Sequence, residues 1–289
     1  MTGVSRHHLT PNGTYIHYFS SGNLQGRLAV LLHGLGGSTE TFRKLLPSIP
    51  SGYRIISVDI EGFGKSPLNT NKSQSFARYV SDLHDLIAHV QKYSPTPATT
   101  GTGNNSRSES AAVLLVGHSL GAIISLHYAA QYPIAVTGLL LLGVGRSIKG
   151  IPQAQQRMRG LATTARQHGM EAVREIAVKT NFPTDRENEE VHVQELTQAV
   201  TSCSPEAYAV TAEVVASDDH QDPDYSLIQC PTVLVAGDKD IISPPQRSVD
   251  ISKLLGGSTE VFIVTSGHQM VLQDLKGVQQ ALRALIARL

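Results

Sequence analysis

Short apolar runs bounded by glycines and polar turns alternate along this chain with longer stretches whose apolar residues recur every three to four positions. The first kind reads as buried strands and the second as helices lying on them. The runs predict strands at Tyr15–Phe19, Leu28–Leu32, Arg54–Val58, Ala111–Val116, Gly138–Leu142, Pro231–Ala236 and Glu260–Val264. The helical pattern predicts helices at about Glu40–Leu46, Phe76–Lys92, Leu120–Gln131, Pro245–Leu255 and Val271–Leu289. Continuous apolar strands alternating with helices imply an α/β architecture with a mostly parallel, doubly wound sheet. Pro11-Asn12-Gly13-Thr14 marks the turn of an N-terminal hairpin. Between Gly145 and Tyr225 the strand pattern stops, and helical segments follow at Gln153–Gln167, Gly169–Lys179, Glu189–Cys203 and Pro205–Ala216. The expected organisation is a core of residues 1–144 and 226–289 with a helical lid, residues 145–225, inserted between two strands. The Ser/Thr/Gly/Asn-rich segment Ser94–Ser110 reads as a tolerated surface insertion.

One strand-to-helix junction carries candidate chemistry. The run Ala111–Val116 leads into Gly117-His118-Ser119-Leu120-Gly121, and a helical pattern follows at once. A Gly-x-Ser-x-Gly pattern is weak by itself, but between a buried strand and a helix it has a steric reason. The two glycines remove Cβ atoms that would collide as strand and helix close, and the turn lifts the Ser119 hydroxyl clear of the sheet. A serine hydroxyl is a poor nucleophile at neutral pH, so such a role requires a histidine base and an orienting carboxylate. Both types follow later in the chain. Asp240 stands in the turn after Pro231–Ala236, and His268 stands in the loop after Glu260–Val264. Parallel sheets place their ligand crevice at that strand end. Asp238 leaves the same strand, but the later position reaches further toward the crevice after the tight turn at Gly237. His7, His8, His84, His89, His168, His192 and His220 lack this context and read as solvated or partly packed side chains.

The loop His33-Gly34-Leu35-Gly36-Gly37-Ser38, after Leu28–Leu32, supplies a further requirement. An acyl-transfer intermediate carries an oxyanion that wants two preorganised donors, here the backbone N–H groups of Leu120 and Leu35. His33 and Gly34 stand at the same edge, His33 as a brace for the loop. Arg146, just past Gly138–Leu142, is placed to bind a substrate carbonyl or carboxylate or to anchor the lid by an ion pair. Met158, Leu161, Met170, Val173, Ile176 and Phe182 are candidate pocket walls within the lid, with helix packing as the competing role.

These motifs closely resemble the α/β-hydrolase superfamily from about Leu28 to the C-terminus. The resemblance rests on His33-Gly34, Asp59-Ile-Glu61-Gly62-Phe63-Gly64-Lys65-Ser66, the serine elbow, Gly237-Asp238-Lys239-Asp240 and Gly267-His268. Within the superfamily the chain looks most like the 3-oxoadipate enol-lactonase group of small esterases and lactonases, with local echoes at Gly169-Met170-Glu171-Ala172-Val173 and Ala236–Asp240. It departs from the pattern at Glu61, where such loops usually carry Arg, and at Gln273, where Glu commonly follows the histidine; the lid lacks Trp. The resemblance implies two-step cleavage of a small ester or lactone by Ser119, His268 and Asp240, with no metal or organic cofactor. Carbon–carbon bond hydrolases, lyases or cyclases on the same triad, and a ligand receptor retaining the pocket, are the alternatives. Aspartate at the elbow would mark dehalogenases and epoxide hydrolases, and Ser119 argues against both.

Two lookalikes fail on spacing. Gly62–Ser66 ends like a phosphate-binding loop, but Asp59 stands where that loop needs its first glycine, and Thr39 stands where Gly34-Leu35-Gly36-Gly37 would need the third glycine of a dinucleotide fingerprint. The 289 residues suit one enzyme-sized domain with an insertion. Twenty-four basic and twenty-four acidic residues leave no electrostatic footprint for nucleic acid or an anionic membrane. Cys203 and Cys230 make no disulfide framework or zinc pattern, and no apolar leader or membrane-length run occurs. A soluble, cytoplasmic protein is expected, and its oligomeric state is not legible.

Overall fold

The computed structural model describes residues 3–93, 112–182 and 190–289. Its strands are β1 (Gly3–Leu9), β2 (Tyr15–Gly22), β3 (Arg27–Leu32), β4 (Tyr53–Val58), β5 (Val113–His118), β6 (Val136–Leu142), β7 (Thr232–Gly237) and β8 (Thr259–Val264). They form one sheet in the order β1-β2-β4-β3-β5-β6-β7-β8. The hairpin β1–β2 is antiparallel and adds antiparallel to β4; all other neighbours are parallel. Gly13 makes the hairpin turn at φ +80°, a left-handed conformation suited to glycine. β4, β5 and β7 are buried at every position, which is why they read as unbroken apolar runs. Period-two alternation divides the side chains between two cores. Leu115, Leu139 and Leu141 face α1 (Phe76–Lys92) and α2 (Leu120–Gln131), whereas Val116, Leu140 and Leu142 join Phe42, Leu45 and α8 (Leu275–Ile286).

α1 and α2 have the bounds that the apolar period predicts, and Ser75 caps α1 by accepting the Arg78 N–H at 3.2 Å. Three expected elements are corrected. Glu40–Leu46 is not an α-helix but falls across two 3₁₀ turns, Thr39–Phe42, capped by the Ser38 side chain, and Leu46–Ser48, whose first turn holds Pro47, a residue with no N–H to donate back toward Arg43. The pattern Pro245–Leu255 yields α6, Pro245–Ser252. The last helix is two, α7 (Met270–Gln273) and α8, divided at Asp274. The Asp274 carboxylate accepts the N–H groups of Gly277 and Thr265, so a residue that reads as helix interior serves as a cap.

Residues 145–225 contain α3 (Pro152–Asn181), α4 (Glu190–Thr201) and α5 (Pro205–Val215). α3 merges the two helices predicted from the sequence, with a break at Gly169, where φ is 76° and ψ 178°. Ser94–Ser110, Ala111 and Glu189 lie outside the described residues. Among the described residues no helix is long and apolar enough to cross a membrane.

The topology locates the crevice. β3 is flanked by β4 on one side and β5 on the other, so the chain runs outward in one direction after β3 and in the opposite direction after β5. The loops that leave the carboxyl ends of β3 and β5 therefore diverge, and in open α/β sheets that divergence is where a ligand crevice is expected.

Candidate active site

Ser119 occupies the tip of the elbow at φ 51° and ψ −111°, the only positive φ at a non-glycine position among the described residues. Such a conformation costs about 1–3 kcal/mol and persists only where its surroundings over-determine it. Here they do. The Ser119 N–H donates to Leu142 O at 2.9 Å, the Gly121 N–H donates to His33 O at 3.0 Å, and Ala122 and Ile123 donate to Ser119 O. The glycines are sterically required. A Cβ on Gly117 would lie 2.6 Å from Ala122 Cα, and one on Gly121 would lie 2.0 Å from Leu32 O.

His268 is brought to the same place by three contacts. Its Nδ1–H donates to Asp240 Oδ2 at 2.7 Å, with both side chains buried. His118 Nε2–H donates to His268 O at 2.9 Å, and the His268 N–H donates to Asn181 O at 3.0 Å. The ring lies over Gly143, where an added Cβ would stand 2.9 Å from its Cε1. Because Ser119 is bonded to Leu142 and His268 covers Gly143, both converge on the carboxyl end of β6. No hydrogen bond joins the Ser119 hydroxyl to the His268 ring in this arrangement, and bonds of that kind tighten on substrate binding.

Asp240, not Asp238, partners the histidine. Burial pushes the Asp240 carboxyl up, but the His268 charge, its hydrogen bond and the N–H groups of Ser243 and Ile242 outweigh it and hold the group below its ordinary value. Asp238 accepts the Ser266 N–H at 2.9 Å and so ties the two strand-end turns together. Gln273, where the resemblance led us to expect Glu, accepts the Gly267 N–H at 3.0 Å and braces the same turn.

Across the crevice, neither the Leu35 nor the Leu120 N–H has a hydrogen-bond partner among the described residues. Leu120 opens α2, so its N–H stands at the positive end of the helix dipole. His33 braces the Leu35 loop as expected. It is fully buried and in a single tautomer, donating Nδ1–H to Gly34 O at 2.7 Å and accepting the Ile60 N–H on Nε2 at 2.9 Å. Burial lowers its pKa, so it stays neutral. Gly34 approaches the elbow so closely that a Cβ there would lie 3.0 Å from Ser119 Cβ.

The remaining candidates divide. Arg146 forms the ion pair, donating Nε–H to Asp222 Oδ2 at 2.8 Å with its guanidinium 5.9 Å from the Tyr225 ring centroid; its pairing with an acid near the end of the inserted segment favours the anchoring role. Met170, Val173 and Phe182 are buried, and Met158 and Leu161 pack half-buried against the same core cluster. Ile176 is 38% exposed and leaves the set of pocket walls. His220, expected to be solvated or partly packed, is buried with its ring stacked 3.9 Å from Phe76. Glu61 is buried against Arg78 at 2.8 Å, which explains how an acid is accommodated at that loop position. His118 and Asn181 carry no motif of their own and were not legible in the sequence. His118 is read as the variable residue of the elbow, and Asn181 becomes relevant only through a contact 87 residues away in the chain, from Asn181 to His268.

A mostly parallel sheet with the serine elbow after β5, an acid after β7 and a histidine after β8 defines the α/β-hydrolase class. The chain belongs to the family described as Serine aminopeptidase, S33, which matches residues 26–271. It is 25% identical to "Lipase 1" of Psychrobacter immobilis over 91% of this chain and 78% of that protein. It is also 25% identical to "Proline iminopeptidase PfmaB" of Pestalotiopsis fici, over 90% of this chain and 91% of that one. Among solved structures, the enol-lactonase of Burkholderia xenovorans LB400 shares the fold with a TM-score of 0.82 at 18% identity, over 98% of this chain and all of the other.

Proposed function

We propose that this hydrolase cleaves a carboxylic ester or lactone of a small molecule through an acyl-enzyme on Ser119. The observation that carries the reading is the strained Ser119 backbone at the same strand end as the buried His268–Asp240 pair. Strain at one polar residue beside a preoriented imidazole has a use in nucleophilic catalysis and no evident use in packing.

In the proposed reaction His268 Nε2 takes the Ser119 proton as Oγ attacks the carbonyl carbon, while Asp240 holds Nδ1–H and stabilises the imidazolium. The N–H groups of Leu35 and Leu120 receive the oxyanion, each contributing roughly 3 kcal/mol of barrier reduction. The imidazolium then returns its proton to the leaving alkoxide. Water, deprotonated by His268, repeats the sequence on the acyl-enzyme and releases the acid. No step requires a metal or organic cofactor. Residues 145–225 act as a lid whose Met158, Met170 and Phe182 shape the pocket around the acyl or alcohol part.

A second reading, cleavage of an amide at a peptide N-terminus, is favoured by the family description and the iminopeptidase relative. Recognition of an α-amino group calls for a carboxylate, and the acids Asp222, Glu206 and Glu213 in this part of the molecule already pair with Arg146 and Arg166. A panel of p-nitrophenyl esters, lactones and aminoacyl-naphthylamides assayed on wild type and Ser119→Ala separates the two. Ester or lactone turnover abolished by the substitution is expected; turnover of the naphthylamides alone would favour the peptidase reading. A fluorophosphonate probe should leave one adduct, on the Ser119 peptide, and an adduct elsewhere in active protein would overturn the assignment.

A further inference from the structure

The backbone of His268 is held from both sides, and one of those holds comes from the inserted helices. Its carbonyl accepts the Nε2–H of His118 in the elbow strand, whereas its N–H donates to the carbonyl oxygen of Asn181, the last residue of α3. The next residue repeats the attachment with side chains, since Gln269 Nε2–H donates to Asn181 Oδ1 at 2.7 Å. Asn181 is itself fixed. It is 7% exposed, and its Nδ2–H donates to Ala177 O at 2.8 Å one turn back in α3. Phe182 follows at once and is buried in the main core cluster, which anchors the end of the helix. Two consecutive residues of the histidine loop are thus bonded to one residue of the insertion.

We propose that Asn181, with Gln269, is a positioning pair through which the inserted helices set the location of the His268 ring. The inference rests on the acyl-transfer reading of Ser119, His268 and Asp240. Asp240 fixes the ring's tautomer and direction, but one hydrogen bond at Nδ1 leaves the ring free to pivot about that bond. The main-chain attachments fix the backbone from which the ring hangs, and the Asn181–Gln269 side-chain bond holds the loop against α3, so together they set the position from which the ring reaches Asp240. Displacement of a reacting group by about 1 Å can cost up to 100-fold in rate, so an attachment to α3 makes the rate depend on where the insertion sits. The arrangement also accounts for a buried asparagine at a helix end, where an apolar residue would satisfy packing but would offer Gln269 no acceptor.

The test uses the full chain, with Asn181→Ala, Gln269→Leu and the double substitution assayed on p-nitrophenyl acetate, an ester too small to depend on the lid's walls. A positioning role predicts a fall in kcat of about tenfold in each single variant with KM unchanged. The double variant should be no worse than the poorer single, because both remove one shared bond. The downfield proton resonance of His268 Nδ1–H should broaden or shift in each variant, while the thermal midpoint moves little in Gln269→Leu. Unchanged kcat and an unchanged resonance in both single variants would overturn the inference. So would a change confined to KM for larger esters, which would make Asn181 a substrate contact instead. Turnover surviving Ser119→Ala would instead overturn the acyl-transfer reading, so the two failures are distinguishable.

Discussion

At Gly121 an added methyl would stand 2.0 Å from the Leu32 carbonyl oxygen and 2.5 Å from its carbon, both backbone atoms that no side-chain rearrangement can move. Gly121→Ala should therefore destabilise the protein by about 3 kcal/mol or more, measured by chemical denaturation, although alanine suits a helix better than glycine. Stability within 1 kcal/mol of wild type would show that β3 and α2 do not close as described. The carboxylates after β7 make the complementary point about chemistry. Asp240→Asn should lower kcat by about 10⁴-fold, because an amide that accepts from the Ser243 and Ile242 N–H groups turns its NH₂ toward Nδ1 and selects the wrong imidazole tautomer. Asp238→Asn should mainly affect stability, since Asp238 binds the Ser266 amide. If Asp238→Asn proves the more damaging to kcat, the assignment of the acid is reversed.

The elements differ in how they meet the crevice. α5 presses on the loop that carries Leu35, since a Cβ on Gly36 would touch Tyr208 of α5 and Val200 of α4 at 3.3 and 3.4 Å. α3 reaches the opposite rim through Asn181 and is divided at Gly169, whose φ of 76° lets the helix change direction in open space. The insertion thus touches both the loop that carries Leu35 and the loop that carries His268, an arrangement in keeping with the lid role proposed above. Replacing Met158, Met170 or Phe182 by Ala should change relative kcat/KM across an ester series of increasing chain length far more than it changes hydrolysis of p-nitrophenyl acetate. A uniform loss across the series, tracking a lower thermal midpoint, would make these side chains packing residues only. At this scale the sequence was informative where one periodicity ruled. α1 and α2 are bounded as the apolar period predicts, and the break of α3 at Gly169 falls where the two predicted helices meet, whereas the C-terminal helix was misjudged where Asp274 alters the backbone inside a continuing pattern.

Across the whole molecule, burial keeps several histidines neutral. Burial, reinforced by neighbouring His268, pushes His118 down to about 3, and burial with neighbouring His220 pushes His127 down to about 4; His33 and His220 are lowered by burial as well. The unfolded chain binds a proton at each of these sites near pH 6.5 and the folded protein does not. Stability from this source is therefore fully present above about pH 6.5 and falls as the pH drops toward the folded values. Each such histidine contributes a slope of about 1.4 kcal/mol per pH unit inside its window. Thermal midpoints should decline from pH 6.5 to pH 4, and His127→Phe should make that decline shallower. A midpoint independent of pH over this range would show that these rings are protonated in the folded state. Asp240 adds to the acid sensitivity only below the ordinary carboxylate range, because its folded value is depressed.

Local chemistry was enough to place the elbow, the strand-end acid and the strand-end histidine, because each depends on a short segment. Glycine is required where strand and helix collide, and a polar residue after a buried strand must lie at its exposed end. The same locality indicated the mostly parallel sheet and the helical segments now seen as α3, α4 and α5. Pairings between distant segments were decided only by the folded chain. Asn181 against His268, His118 against the His268 carbonyl, Arg146 on Asp222 and Glu61 on Arg78 each join positions that no periodicity relates. These contacts arise from the order in which strands are laid beside one another and from where the insertion folds back. A one-dimensional pattern records which residues must be buried, but not which buried polar groups will satisfy one another.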